Sequence, residues 1–223
     1  VTRAAENGVE AIALDAAELA EVEPHVRGLG ALRIPSTGIV DYKAVSCAIA
    51  AQIETLGGEL RFGSPVDRIQ ERRNVVEVRA GGEDWRADRL VVCGGLQADR
   101  LARLAGLAPD FRIVPFRGEY YRLPASRRDL ISHLIYPVPD PSLPFLGVHL
   151  TKVVGGGITV GPNAVLGWAR EGYPKGSFSA ADVRDYATFP GMWKFARANA
   201  GTGLRELRNS WFKRSYLREC RKY

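Results

Sequence analysis

The sequence has 223 residues, of which 46% are hydrophobic, and its formal net charge is +6. This length is enough for one large domain or two small ones, and the composition is typical of a globular protein with a buried core. No apolar run approaches the roughly 18 residues of a membrane-spanning helix. Residues 1–7 lack the basic start and apolar stretch of a signal peptide, and the sequence has one methionine, Met192. We therefore expect the chain to begin inside a longer protein.

The positive charge has two interpretations. It could attract an acidic substrate or a membrane surface. Alternatively it is a local cluster at the end of the chain, formed by Arg205, Arg208, Lys213, Arg214, Arg218, Arg221 and Lys222. No nucleic-acid-binding motif accompanies the charge, so the sequence predicts no nucleic-acid partner.

Three widely spaced cysteines, Cys47, Cys93 and Cys220, form neither a zinc pattern nor an even disulfide set. We predict reduced thiols in a cytosolic protein and no metal site. Cys47 and Cys93 are expected to be buried packing residues.

The first part of the chain predicts two helices. Asp15 and Glu18 form a capping box, and Pro24 ends the short helix that follows. Asp41 can cap a longer amphipathic helix that ends at Gly57. We expect its apolar face to pack on a sheet.

Residues 59–95 predict short strands followed by a glycine turn. The strands are expected at 59–62, 66–72, 75–80 and 85–87. Residues 89–93 are a continuous apolar run, typical of a strand buried on both faces, which leads into Gly94-Gly95 and a helix over 97–105. A strand that leads through a glycine pair into a helix can bring the backbone close to a ligand. The same sequence is equally consistent with a buried strand and a tight turn that contact no ligand.

Residues 115–167 predict an antiparallel sheet with four strand-like runs, at 115–123, 133–137, 145–151 and 159–164. A capping box at residues 179–182 predicts the start of a short helix, and further helices are predicted at 190–200 and 204–218. The glycines 155–157 resemble the start of a dinucleotide fingerprint. Because Val160 stands where the third glycine is needed and Pro162 follows, we predict a hairpin turn there.

Several long motifs resemble a known family. They are PSTGIVDY (35–42), ADRL (98–101), FRGEY (116–120), HLIYPVPDP (133–141), FLGVHLT (145–151) and VGPNA (160–164). These are similar to the L-2-hydroxyglutarate dehydrogenase/oxidase family, FAD-dependent members of the D-amino-acid-oxidase-like superfamily. The family's N-terminal G-x-G-x-x-G loop and its C-terminal flavin-contacting segment have no counterpart here, so the chain resembles the central part of the enzyme.

The resemblance implies oxidation of L-2-hydroxyglutarate to 2-oxoglutarate with FAD, the electrons passing to a membrane quinone or to oxygen. It also implies a cytoplasmic protein of the kind that attaches peripherally to the inner membrane. The implied fold is α/β plus α+β, a partial Rossmann-like FAD-binding layer (1–110) and a substrate domain (111–223) with the antiparallel sheet and flanking helices. A sister flavoenzyme for an amino acid or glycerol phosphate, or a truncated chain without activity, are the alternatives.

His149 is the predicted base, because imidazole is neutral and basic near pH 7. On a strand, it shares a face with Phe145, Gly147 and Thr151, opposite Leu146, Val148 and Leu150. A hydrogen-bonded structural histidine is the alternative.

Other polar residues of the sheet are candidates for substrate binding. Arg117 could clamp a carboxylate or instead pair with Glu119. Tyr120, Tyr136 and Thr151 could hydrogen-bond the substrate, and Asn163 could do so or cap a turn. For the flavin, the resemblance points to Val66, Cys93, Gly94 and Gly95.

Overall fold

The computed structural model describes residues 2–138 and 147–220. Its contacts divide the chain into two compact units, each made of separated segments. Unit 1 comprises residues 1–45, 118–165 and 200–223, and unit 2 comprises residues 46–117 and 166–199. The functional division into an FAD-binding part (1–110) and a substrate part (111–223) stays a prediction.

The helices are α1 (Thr2–Glu6), α2 (Ala16–Val22), α3 (Tyr42–Thr55), α4 (Ala98–Leu104), α5 (Ala180–Ala187), α6 (Pro190–Ala198), α7 (Ala200–Trp211) and α8 (Lys213–Cys220). The strands are β1 (Ile12–Asp15), β2 (Gly30–Arg33), β3 (Val66–Glu71), β4 (Val76–Ala80), β5 (Glu83–Ala87), β6 (Phe116–Arg122), β7 (His149–Lys152) and β8 (Ile158–Leu166). Asp15 caps α2 with the predicted capping box, in which Glu18 bonds back to the Asp15 N–H.

The predicted sheet of residues 115–167 forms with three strands in the order β6-β8-β7. β7 and β8 are antiparallel, and His149 lies opposite Gly161. The turn between them contains Gly155, Gly156 and Gly157, all at positive φ, so the predicted hairpin is confirmed. The run 133–137 supplies one bridge, between Ile135 and Leu150, while Phe145 and Leu146 lie outside the described residues.

Unit 2 contains the antiparallel meander β3-β4-β5, as the sequence predicted. No strand forms at 59–62, nor at 89–93, where the predicted buried strand is wrong and Val91 is 84% exposed. A continuous apolar run becomes a buried strand only when neighbouring strands bond to both of its edges. The described residues provide no such neighbours for 89–93.

The predicted burial of α3 and of two cysteines is also wrong. No residue of α3 is buried, and Ile49 and Ile53 on its apolar face are exposed. Cys47 and Cys93 are exposed free thiols. Amphipathic spacing identifies which face of a helix can be buried, but burial requires a partner surface, and within the described residues this face has none.

A buried ion network joins α4 to α5 within unit 2. The Arg170 guanidinium bonds both oxygens of Asp99 and, at 2.6 Å, Asp185 Oδ2. The Arg170 backbone N–H donates to Asp182, and Arg103 pairs with Asp99 at 2.9 Å. Because Asp99 is fully buried, removal of its cationic partner would leave an uncompensated charge in the interior.

Asp99 makes the stability of the chain acid-sensitive. Burial raises its pKa, but hydrogen bonds from Arg170 and the Ile113 N–H, with the nearby guanidinium charges, lower it to about 2 from 3.8. Because the pKa of Asp99 is lower in the folded than in the unfolded chain, its carboxylate stabilises the folded state. This contribution to the free energy of unfolding is fully present above about pH 4 and is lost as the pH falls toward 2. We expect this group to contribute about 2 kcal/mol.

Urea unfolding between about pH 5 and pH 2 tests this. Asp99→Asn should flatten the pH dependence of the free energy of unfolding. The control, Asp129→Asn, alters an exposed carboxylate and should keep the wild-type slope. Equal slopes in wild type and Asp99→Asn would contradict the assignment.

Candidate active site

His149 begins β7 and is 8% exposed. The Tyr136 ring stacks on the imidazole with 4.4 Å between centroids and 20° between planes. The Tyr120 ring meets it edge-on at 6.3 Å. Both tyrosines are about half exposed, so the three rings form a site wall with an open side in unit 1.

The surroundings of His149 define its protonation. Its Nδ1 lies 3.3 Å from the Gly147 carbonyl oxygen, which can only accept, so Nδ1 carries the proton and Nε2 the lone pair. Burial lowers the pKa of His149, and the bond to Gly147 raises it by a smaller amount. The imidazole is therefore neutral near pH 7, as a general base requires.

Tyr120 owes its position to a glycine on the neighbouring strand. A Cβ at Gly161 would lie 2.6 Å from Tyr120 Cδ1 and 2.9 Å from the Glu119 carbonyl, so no side chain fits there. Burial raises the pKa of Tyr120, with Tyr136 adding to the effect, and its hydroxyl stays a donor.

Asn163 is buried and lies toward α7. Its amide donates to the Glu206 carbonyl at 3.0 Å, and the Ala164 N–H donates to the Glu206 carboxylate. The predicted turn at Asn163 is wrong, because β8 continues through Pro162 and Asn163 to Leu166. Its predicted substrate role has no support from this position.

Thr151 follows His149 on the same face, and its hydroxyl is buried without a hydrogen-bond partner among the described residues. Arg117 belongs to unit 2 and donates to the Pro174 carbonyl at 3.0 Å. The substrate roles of Thr151 and Arg117 stay predictions.

A buried carboxylate that the sequence did not single out holds the segment before Tyr136. Glu23, at the end of α2, accepts the backbone N–H groups of Ser132 and His133 and contacts His133 Nδ1 at 2.8 Å. Two residues later Ile135 bridges to Leu150, and Tyr136 then stacks on His149. Glu23 therefore positions the stacked ring; its only sequence signal is its place between a helix and Pro24.

We expect Glu23→Ala to lower the free energy of unfolding by about 2–3 kcal/mol, because it leaves two backbone N–H groups without their acceptor. Glu23→Gln keeps one acceptor oxygen and should lose about half as much. Glu21→Ala, on the exposed side of the same helix, is the matched control. If urea unfolding shows the same loss for Glu23→Ala and Glu21→Ala, the positioning role is wrong.

The residues predicted to lie near the flavin belong to unit 2. Val66 begins β3, and Cys93 precedes Gly94, where a Cβ would lie 2.3 Å from Leu101 Cδ1. Gly95 has positive φ, and a Cβ there would meet nothing within 4 Å. The backbone at Gly94-Gly95 thus packs tightly on α4 on one side and is open on the other, which fits contact with one edge of a dinucleotide.

Within residues 2–138 and 147–220, no group of histidine, cysteine, aspartate and glutamate side chains could hold a metal ion. No helix there is both long and apolar enough to cross a membrane.

The structure is similar to the crystal structure of glycine oxidase from Geobacillus kaustophilus, with a TM-score of 0.62 and 21% sequence identity. The match covers 82% of this chain and 46% of that one. The chain therefore shares the fold of that protein, and the predicted α/β plus α+β class is confirmed.

A family model described as FAD dependent oxidoreductase (DAO) matches residues 1–212, and the chain belongs to that family. It is 46% identical over 223 residues to L-2-hydroxyglutarate dehydrogenase of Escherichia coli (strain K12), covering 99% of this chain and 53% of that protein. It is 38% identical over 231 residues to the mitochondrial L-2-hydroxyglutarate dehydrogenase of Homo sapiens, covering 98% and 50%. The chain spans about half the length of the curated relatives it matches.

Proposed function

We propose that this chain is the central part of an FAD-dependent enzyme that oxidises L-2-hydroxyglutarate to 2-oxoglutarate. The observation that carries the proposal is His149, a neutral imidazole that contacts the Gly147 carbonyl and the rings of two tyrosines. The names of relatives at 46% and 38% identity indicate the substrate.

In the proposed reaction, His149 Nε2 takes the proton of the C2 hydroxyl of the substrate. The C2 hydrogen leaves as hydride, and the C2–O bond becomes a carbonyl. When bound, FAD accepts that hydride. Burial that keeps the imidazole neutral also keeps the base in its active form at neutral pH.

The two tyrosines orient the substrate in this proposal. The Tyr120 hydroxyl stays protonated and can donate to a substrate oxygen. The hydroxyl of Tyr136, whose ring stacks on His149, is a second donor. Arg117, in unit 2, stays a proposed carboxylate-binding residue, because a guanidinium can bind a carboxylate bidentately. The backbone at Val66, Cys93, Gly94 and Gly95, in the same unit, is proposed to hold one edge of FAD when it is bound.

Quinone or oxygen receives the electrons in the proposal, and the net charge of +6 would favour peripheral contact with an anionic membrane. Two measurements distinguish these acceptors: turnover with a soluble quinone under anaerobic conditions, and turnover with oxygen alone. The acceptor that supports the faster turnover is the one that receives the electrons.

A substrate panel tests the proposed function in an enzyme of the relatives' full length that carries this chain. L-2-hydroxyglutarate should be turned over with the largest kcat/KM, against D-2-hydroxyglutarate, glycine, other amino acids and glycerol 3-phosphate. Preferred turnover of an amino acid or of glycerol phosphate would instead establish the sister flavoenzyme.

A further inference from the structure

The ring of Tyr120 lies against the backbone of two strands of the sheet in unit 1. A Cβ at Gly161 of β8 would lie 2.6 Å from Tyr120 Cδ1, and one at Gly118 of β6 would lie 3.2 Å from Tyr120 Cε2. The Cβ of Pro162 is also 3.2 Å from that Gly118 position. Because no side chain separates the ring from the backbone at the two glycines, the position of Gly161 and Pro162 determines where the Tyr120 hydroxyl lies.

A residue of α7 holds β8 directly beyond this point. The pairing of β7 with β8 ends at Gly161, but β8 continues to Leu166. There the Ala164 N–H donates to Glu206 Oε2 at 3.1 Å. The buried amide of Asn163 donates to the Glu206 backbone carbonyl at 3.0 Å. A strand N–H needs an acceptor, and at Ala164 the acceptor is a side chain of α7.

The Glu206 carboxylate belongs to the packing between α7 and β8. Burial raises the pKa of the Glu206 carboxyl group, and the bond from the Ala164 N–H lowers it, with Arg205 adding to the lowering. A charged group in a poorly hydrated place is unfavourable unless a specific partner meets it. The Ala164 N–H is such a partner, so the bond is part of the way in which α7 packs on β8.

We propose that Glu206 is the positioning residue of Tyr120. It acts through the backbone of β8, which it joins to α7, and so keeps the ring where its hydroxyl can donate to a substrate oxygen. Glu23 holds the backbone before Tyr136 in the same manner, so each of the two rings that contact His149 has a glutamate behind it. The inference rests on the proposed function, in which Tyr120 orients the substrate.

A double-mutant cycle on kcat/KM tests the proposal in an enzyme of the relatives' full length that carries this chain. Glu206→Ala removes the acceptor of the Ala164 N–H. It should lower kcat/KM about ten-fold, the effect of losing one hydrogen bond from Tyr120 to the substrate. In a Tyr120→Phe background that bond is already absent, so Glu206→Ala should lower kcat/KM by less than about two-fold. Glu206→Gln keeps an acceptor oxygen and should retain most of the wild-type kcat/KM.

Leu207→Ala, on the exposed side of α7, is the matched control and should keep the kcat/KM of each background. Glu206→Asp keeps the charge but shortens the side chain by one methylene group, and it replaces Glu206→Ala if that variant does not fold. The cycle uses whichever substrate of the panel is turned over with the largest kcat/KM. Its result therefore does not depend on the identity of the substrate.

A second readout does not involve turnover. Fluorine NMR of the enzyme labelled with fluorotyrosine reports the surroundings of each tyrosine ring, and Tyr120→Phe identifies the Tyr120 signal. We expect Glu206→Ala to shift that signal and to leave the signal of Tyr173, which is exposed in unit 2, unchanged.

The proposal is wrong if Glu206→Ala leaves kcat/KM unchanged, if kcat/KM falls equally in both backgrounds, or if the Tyr120 signal does not move. If the enzyme turns over no substrate of the panel, the proposed function fails. The Tyr120 signal then decides by itself whether Glu206 positions the ring.

Discussion

His149→Ala should lower kcat for L-2-hydroxyglutarate by about 10²-fold or more in an enzyme of the relatives' full length that carries this chain. The substitution removes the neutral Nε2 of the imidazole that contacts Gly147 and both tyrosine rings. Lys152→Ala, at the exposed end of the same strand, is the matched control and should keep normal turnover.

The pH dependence gives a second readout of the same base. Because burial lowers the pKa of His149, the acid limb of kcat/KM should lie below the usual histidine value of 6.5. Turnover should fall as the pH drops through this limb, since the protonated imidazole cannot accept a proton. In His149→Ala the limb should disappear. Near-normal kcat with only a raised KM would mean that His149 binds substrate and is not the base.

The 223-residue chain by itself should bind FAD weakly and show no oxidation of L-2-hydroxyglutarate. Tight FAD binding depends on a glycine-rich loop that presents several backbone N–H groups and a helix N-terminus to the pyrophosphate. The glycines 155–157 form a hairpin turn between β7 and β8 instead. Gly94-Gly95 packs against Leu101 on one side and has open space on the other, so it offers contact from one side only.

Flavin absorbance after purification, with and without added FAD, measures this. An enzyme of the relatives' full length that carries the same residues is the positive control and should be yellow. If the 223-residue chain is purified with one FAD per chain, the pyrophosphate site lies within these residues, and the prediction is wrong.

Local signals in the sequence predicted much of the secondary structure. The capping box at Asp15, the strands β3, β4 and β5, and the hairpin at Gly155–Gly157 depend on neighbouring residues, and all three are confirmed. The buried strand at 89–93 and the buried face of α3 failed because burial depends on surfaces far away in sequence. Periodicity alone cannot show whether such a surface is supplied.

In the candidate site, too, local patterns in the sequence predicted some features, and contacts between distant residues were missed. Strand alternation placed His149 on a polar face, and the structure adds the stacked Tyr136 and the Gly147 contact. The Glu23 clamp joins residues separated by about 110 positions, and no pattern in the sequence links them. Asn163 was predicted to follow Pro162 in a turn, but it lies within β8, because the strand continues past the proline to Leu166.

The interleaving of the two units has a consequence for folding during synthesis. Unit 1 draws on residues 1–45, 118–165 and 200–223, so the first segment leaves the ribosome long before its structural neighbours exist. The C-terminal segment, with Tyr216 on α8, completes that unit last. During synthesis the apolar surface of unit 1 therefore stays exposed until its last segment has been made. Folding of the unit then requires contacts between segments that are distant in sequence, which is slow and favours aggregation of incomplete chains.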